Sequence, residues 1–144
     1  MHIFLLPFTA FRFKSNYFVN GLGFKLWFES STLSKWSYSS GACGGNFTTA
    51  NGLLTSPSYP NNYLDDADCV YIISRPNGSY VNLAINNMDI EHEPTCAYDY
   101  LEIRDGNSEE SPIMRKLCGN EIPPLMQSAQ NNVWMRYRLA SQIN

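Results

Sequence analysis

The chain has 144 residues, with 10 basic and 13 acidic side chains giving a formal net charge of −3. That balance, with a pI near 5.3 and no cluster of Lys or Arg, excludes nucleic acid as a partner, because a phosphate backbone calls for a basic stripe. Charged residues make up only 16% of the chain, and Tyr, Phe, Asn, Ser, Gly and Pro are plentiful, as suits short strands joined by turns in one domain of about 100 residues plus an extra segment.

Met1 to Phe11 is apolar, but it has no basic n-region, carries Pro7 inside a very short apolar run and ends in no small-x-small cleavage pattern, so it is not assigned as a secretory leader. Arg12, Lys14 and Asn16 interrupt the run well short of the about 20 residues a membrane helix needs, and no direct membrane insertion is expected. Phe11 to Asn16 and Gly21 to Glu29 read by themselves as an amphipathic hairpin, followed by a Ser-rich linker from Ser30 to Gly41.

Further strands are expected at Cys69 to Ile73, Tyr80 to Ile85, Tyr98 to Arg104 and Val133 to Arg138, with almost no helix. Val81, Leu83 and Ile85 share one strand face, and Tyr98, Tyr100 and Met135 are further core candidates. Asp105-Gly106 predicts a tight turn after the third of these strands, and Pro123-Pro124 marks a loop or a strand boundary.

The four cysteines, Cys43, Cys69, Cys96 and Cys118, form no Cys-x-x-Cys pair, which argues against a zinc cluster and for disulfides made outside the cell. Loops of these lengths would each contribute roughly 3 to 4 kcal/mol through the entropy of the unfolded chain. Two sequons, Asn46-Phe47-Thr48 and Asn77-Gly78-Ser79, fit the same route, since a glycan is added only in the secretory lumen. Asn77 is the better acceptor, because Pro76-Asn77-Gly78-Ser79 is a turn by composition.

Glu91 and Asp99 flank a loop containing Pro94 that could fold both carboxylates toward one point. Two hard oxygen donors suit calcium better than zinc, although acidic residues beside a loop are ordinarily just solvated. Catalysis is not expected. His2 lies near the terminus, His92 sits between Glu91 and Glu93, and neither belongs to a nucleophile-elbow or zinc-protease pattern. His92 reads as a solvated loop residue whose acidic neighbours offer at most a pH-dependent contact.

Cys43-Gly44-Gly45, Leu54-Thr55-Ser56-Pro57-Ser58-Tyr59-Pro60-Asn61-Asn62-Tyr63, Cys69, Asp89-Ile90-Glu91, Cys96-Ala97-Tyr98-Asp99 and Leu117-Cys118-Gly119 together resemble a CUB domain. The resemblance implies an all-β fold, a CUB-type β-sandwich of two antiparallel sheets. It also implies disulfides joining Cys43 to Cys69 and Cys96 to Cys118. In the calcium-binding subset of that family the metal would be held by Glu91 and Asp99 with Tyr63 supporting them; the position of a third Asp falls at about Ala140, whose methyl donates no oxygen.

The same resemblance divides the chain into 1–30, the last strands of a preceding CUB repeat with Asn16 in the place of a turn Asp; 31–42, a linker; and 43–144, a CUB domain that lacks its final strand. Gly23 to Glu29, a strand of the missing kind, is expected to pack into the vacant place. The function implied is an extracellular or cell-surface, protein-binding module with no enzymatic activity. It would sit peripherally among neighbouring CUB repeats in an endocytic receptor and capture protein ligands presenting Lys or Arg through a calcium-organised acidic surface. The alternative is a spacer repeat that binds neither ligand nor calcium.

Overall fold

The structure, a computed structural model, describes residues 21–30, 36–39, 41–63 and 66–140. The expectations for residues 1–20, Asn16 among them, lie outside the described residues. Ten strands are present: β1 Gly23–Ser30, β2 Trp36–Ser39, β3 Gly45–Phe47, β4 Asn51–Thr55, β5 Asp68–Ser74, β6 Val81–Asp89, β7 Tyr100–Asp105, β8 Ile113–Leu117, β9 Met126–Gln127 and β10 Asn132–Arg138. They form two five-stranded sheets, ordered β2-β4-β1-β6-β9 and β3-β5-β10-β7-β8. No helix occurs among the described residues, so the all-β sandwich expected from the sequence is the fold observed.

Alternation builds the core. In the second sheet, Tyr71 and Ile73 of β5, Leu101 and Ile103 of β7, and Val133, Met135 and Tyr137 of β10 all point inward and are fully buried. β10 pairs antiparallel with β5 on one side and β7 on the other. The first sheet answers with Phe24, Leu26, Phe28, Leu54, Val81 and Leu83, each at most 1% exposed. Two pairs, β2 with β4 and β3 with β5, run parallel; the remaining ladders are antiparallel.

β1 lies in the middle of its sheet, paired antiparallel with β4 from Lys25↔Thr55 to Glu29↔Asn51 and with β6 from Gly23↔Asp89 to Ser30↔Val81. Gly23 to Glu29 is thus a central strand of this sheet, packed into the sandwich. Each of its three inward side chains contributes about 1.5–3 kcal/mol by leaving water. Phe24 also meets Tyr71 and Tyr137 edge-to-face at centroid distances of 5.8 and 5.2 Å.

The start of β1 is pinned by Ser56. Its Oγ accepts the Phe24 N–H at 3.1 Å, and its own N–H donates to Phe24 O at 3.0 Å. Gly23 has φ +75°, and a Cβ there would lie 1.9 Å from Ser56 Oγ, so only glycine fits. Within the 31–42 segment read as linker, Trp36–Ser39 joins the sheet edge beside β4.

Three expectations need correction. Tyr98 is 58% exposed and β7 begins only at Tyr100, because the chain at Cys96 takes φ 49° and turns Asp99 inward instead. Tyr100, by contrast, is buried as expected, 7% exposed, with the Lys116 ammonium 4.1 Å from its ring centroid. Asp105-Gly106 does not make a tight hairpin: residues 106–112 connect β7 to β8, and the Asp105 carboxylate instead accepts the Ala129 and Gln130 N–H groups at 2.8 and 2.9 Å. Tyr80 likewise precedes β6, which starts at Val81 and runs on to Asp89.

If β1 is an integral strand, Phe24→Ala should lower unfolding free energy by about 3–5 kcal/mol, and Lys25→Ala, on the outer face, by under about 0.5 kcal/mol. Urea denaturation of the two variants checks this. Equal, small effects would show that β1 does not belong to the core.

Candidate metal and ligand site

The site forms at the pole where β6 and β10 end and β7 begins. Opposite Lys25 and Leu26 of β1 the register of β6 slips by one residue, at Asn86, so the inward positions change from Val81, Leu83 and Ile85 to Met88 and Ile90. Ile90 then exchanges two backbone bonds with Gly119, both at 3.0 Å, which fixes the direction in which the chain leaves toward Glu91.

The loop from Glu91 to Asp99 is tied at two points. Cys96 is bonded to Cys118, their Cα atoms 5.6 Å apart. Glu93 accepts from the Thr95 hydroxyl at 2.6 Å, the Thr95 N–H at 2.9 Å and the Ala97 N–H at 2.8 Å. These bonds, the Thr95 hydroxyl first, hold the Glu93 carboxyl below its ordinary range. Nothing in the sequence reading singled out Glu93; its signal was local, a carboxylate two residues before a Thr, able to bond the backbone that follows it.

Tyr63 is the centre of the constellation. It is 2% exposed, its N–H donates to Gly21 O at 3.0 Å, and its ring lies edge-to-face with Tyr137 at 6.2 Å. Its hydroxyl donates to Asp99 Oδ2 at 2.9 Å and accepts the Glu91 N–H at 3.2 Å. Burial above all, with the charge of Asp99 adding to it, raises the Tyr63 pKa far above that of an ordinary phenol, so the hydroxyl remains a donor.

Asp99, 7% exposed, has its other oxygen, Oδ1, bonded by the Ala140 N–H at 2.8 Å. Position 140 therefore contributes a backbone donor where the family pattern would put an acid. Burial pushes the Glu91 carboxyl above its ordinary value, and the Asp99 charge pushes the same way. Neither carboxylate forms an ion pair with a described Lys or Arg. Among the described residues no group of three or more His, Cys, Asp or Glu converges as a metal cage.

This donor set fits a hard cation in its chemistry. Glu91 and Asp99 are partly desolvated and feel each other's charge without a counter-charge among the described residues, each oxygen of Asp99 has used only one of its acceptor positions, and further ligands could be carbonyls and water. The other cysteine pair also forms, with Cys43 bonded to Cys69 at a Cα separation of 4.8 Å, so both disulfides are those the resemblance implied. Asn46, Asn77 and His92 are all exposed. No helix among the described residues is long and apolar enough to cross a membrane.

Comparison with known proteins agrees with this architecture. The CUB domain model matches residues 43–144. Cubilin of Sus scrofa is 37% identical over 127 residues, which is 88% of this chain and 3% of that protein. Tolloid-like protein 2 of Mus musculus is 38% identical over 126 residues, 83% of this chain and 12% of that protein. The chain thus spans a small part of each relative. The crystal structure of the MASP-1 CUB2 domain bound to Ca2+ superposes with a TM-score of 0.59 at 29% identity, covering 69% of this chain and 88% of that one. With the sandwich, the disulfide pairs and residues 43–144 all in agreement, the chain belongs to the CUB domain family.

Proposed function

We propose that this chain is an extracellular protein-binding module, with no catalytic activity, in which Glu91 and Asp99 hold calcium and present an acidic surface to a Lys or Arg side chain of a protein ligand. The observation that carries the reading is the buried Tyr63 hydroxyl, which bonds the Asp99 carboxylate and the Glu91 backbone N–H at once and so ties together two acidic residues that have no described counter-charge. Bound calcium would keep both acids ionised and fixed, and their remaining lone pairs could accept charge-assisted hydrogen bonds from an ammonium or guanidinium group. The calcium in the MASP-1 CUB2 structure supports such a site in the family.

The similarity to cubilin supports a setting in which the module sits among other CUB repeats in a cubilin-like endocytic receptor. A second reading, a spacer repeat in such an array, is favoured by one feature: position 140 brings an N–H, not a third carboxylate, to Asp99. Hydrogen exchange separates the two readings. A binding repeat shows calcium- and ligand-dependent protection of residues 91–99, and a spacer does not.

Calorimetric titration should show one calcium ion bound per domain with Kd of about millimolar or tighter, and no heat for Asp99→Ala. A flat titration of the unaltered chain removes the calcium site.

Tyr63→Phe keeps the ring but leaves Asp99 Oδ2 without its donor and the Glu91 N–H without its acceptor, and should cost about 1–3 kcal/mol of stability together with weaker calcium binding. Thermal melts with and without calcium report both effects.

Glu91 gives a test by pH. Its pKa is raised in the folded state, so the ionised group opposes folding; Glu91→Gln should therefore be more stable than the unaltered chain at neutral pH without calcium, by under about 1 kcal/mol for so accessible a group. The gain should vanish below about pH 4, where the acid is protonated in both states. Added calcium should reverse the order at neutral pH, and denaturation midpoints across pH follow each step.

A further inference from the structure

The turn between β5 and β6 lies at the pole opposite the acidic residues: Ser74 pairs with Asn132 at the start of β10, whereas Asp99 meets Ala140 beyond its end. Ser79 N–H donates to Pro76 O at 3.1 Å, closing the four-residue turn Pro76-Asn77-Gly78-Ser79. Gly78 has φ +83°, a value that favours glycine strongly. The turn geometry therefore demands the residue that, by lacking a side chain, leaves the preceding asparagine open to attack by its own backbone.

Asn77 is exposed, and its Oδ1 accepts from Asn131 Nδ2 at 3.4 Å, while the same Nδ2 donates to Arg75 O at 2.5 Å. The amide oxygen of Asn77 thus faces the protein and its nitrogen is left to solvent. A Cβ placed on Gly78 would meet nothing within 4 Å, so the turn stands clear of the surrounding chain at that residue.

We propose that the Asn77 side-chain nitrogen is the anchor of an N-linked glycan, and that chains escaping this modification lose the same nitrogen as ammonia through a cyclic imide with Gly78. In the second route the Gly78 backbone nitrogen, after giving its proton to hydroxide, bonds to Asn77 Cγ. The Cγ–Nδ2 bond breaks, and the nitrogen leaves as ammonia after taking a proton from water. Water then opens the ring at either carbonyl, leaving aspartate or isoaspartate at position 77, so that one water enters and one ammonia departs. A sugar on Nδ2 turns that nitrogen into a bulky, substituted amide and blocks ring closure. The glycan protects the hairpin from a lability that its own turn requires.

The chain carries an internal control. Asn51-Gly52 is the same dipeptide, but it lies in β4 with Asn51↔Glu29 and Gly52↔Phe28 paired on one side and Trp36↔Asn51 and Ser37↔Gly52 on the other. A backbone held in two ladders cannot swing onto its neighbour's side chain without local unfolding.

The test is peptide mapping of the whole chain secreted from a glycosylating host. The peptide with Asn77 should carry a glycan, and glycosidase release in heavy-oxygen water should leave labelled aspartate there. The Ser79→Ala variant, with no sequon but the same Asn-Gly pair, should accumulate isoaspartate at position 77 and not at position 51 at mildly alkaline pH. Adding Gly78→Ala should slow that reaction, and urea should bring position 51 to the same rate. A bare Asn77 in the secreted chain overturns the glycan half; equal reaction at both asparagines in the folded variant overturns the imide half. The glycan half rests on the extracellular reading above, and a glycan at Asn46 beside a bare Asn77 would leave that reading standing while refuting this one. The imide half can be run on unglycosylated, refolded protein and does not depend on secretion.

Discussion

The slot between β4 and β6 is the constraint on which the sandwich depends. Without a strand there, β4 and β6 would each show a row of unpaired backbone groups, and Tyr71 and Tyr137 of the facing sheet would lose the ring edge of Phe24. β1 satisfies both demands, because its Gly-Phe start and its inward Phe24, Leu26 and Phe28 match the register of its neighbours. Its local consequence reaches the site: the residues just ahead of β1 place the Gly21 carbonyl on the Tyr63 N–H. The strand that closes the sheet therefore also holds the residue that organises the acidic pole.

At that pole, geometry and charge pull in opposite directions. Two carboxylates without a described basic partner repel, and this adds to the burial that chiefly pushes the Glu91 carboxyl above its ordinary value. The structure tolerates the repulsion because Asp99 accepts two hydrogen bonds and the Glu91 backbone is held by the Tyr63 hydroxyl. Glu93 works differently: its carboxylate is fully engaged with Thr95 and Ala97, so it shapes the loop and leaves the open acceptor positions to its neighbours. Elsewhere the same residue types are simply structural, as in the bidentate Asp68–Arg136 pair at 2.7 and 2.5 Å on the outer face of the second sheet. What distinguishes a site from a brace is whether the charge has already found its counter-charge.

The family resemblance made much of this legible: the sandwich, both disulfide pairs and the grouping of Tyr63 and Asp99 follow from motifs whose spacing is specific. Simple alternation was less dependable. It placed Tyr98 in the core because Tyr98 and Tyr100 share a parity, but strand pairing begins only at Tyr100, and in the loop before it Asp99 is buried and Tyr98 exposed. It also carried the inward face of β6 no further than Ile85, since a register slip at Asn86 is set by the partner strand and leaves no mark in the β6 sequence.

By itself, the amino-acid sequence determined the β-rich composition, the cysteine framework, the apolar faces of single strands and the identity of the acidic residues, all of which are local or carried by motif. Only the tertiary structure decided that β1 lies between β4 and β6, that the Ala140 N–H and the Tyr63 hydroxyl divide the two oxygens of Asp99, and that Asn77 and Asn51 differ in freedom although each precedes a glycine. Those outcomes depend on which distant segments lie side by side. Pairing partners and hydrogen-bond partners are properties of the folded surface, and no single stretch of the chain contains them.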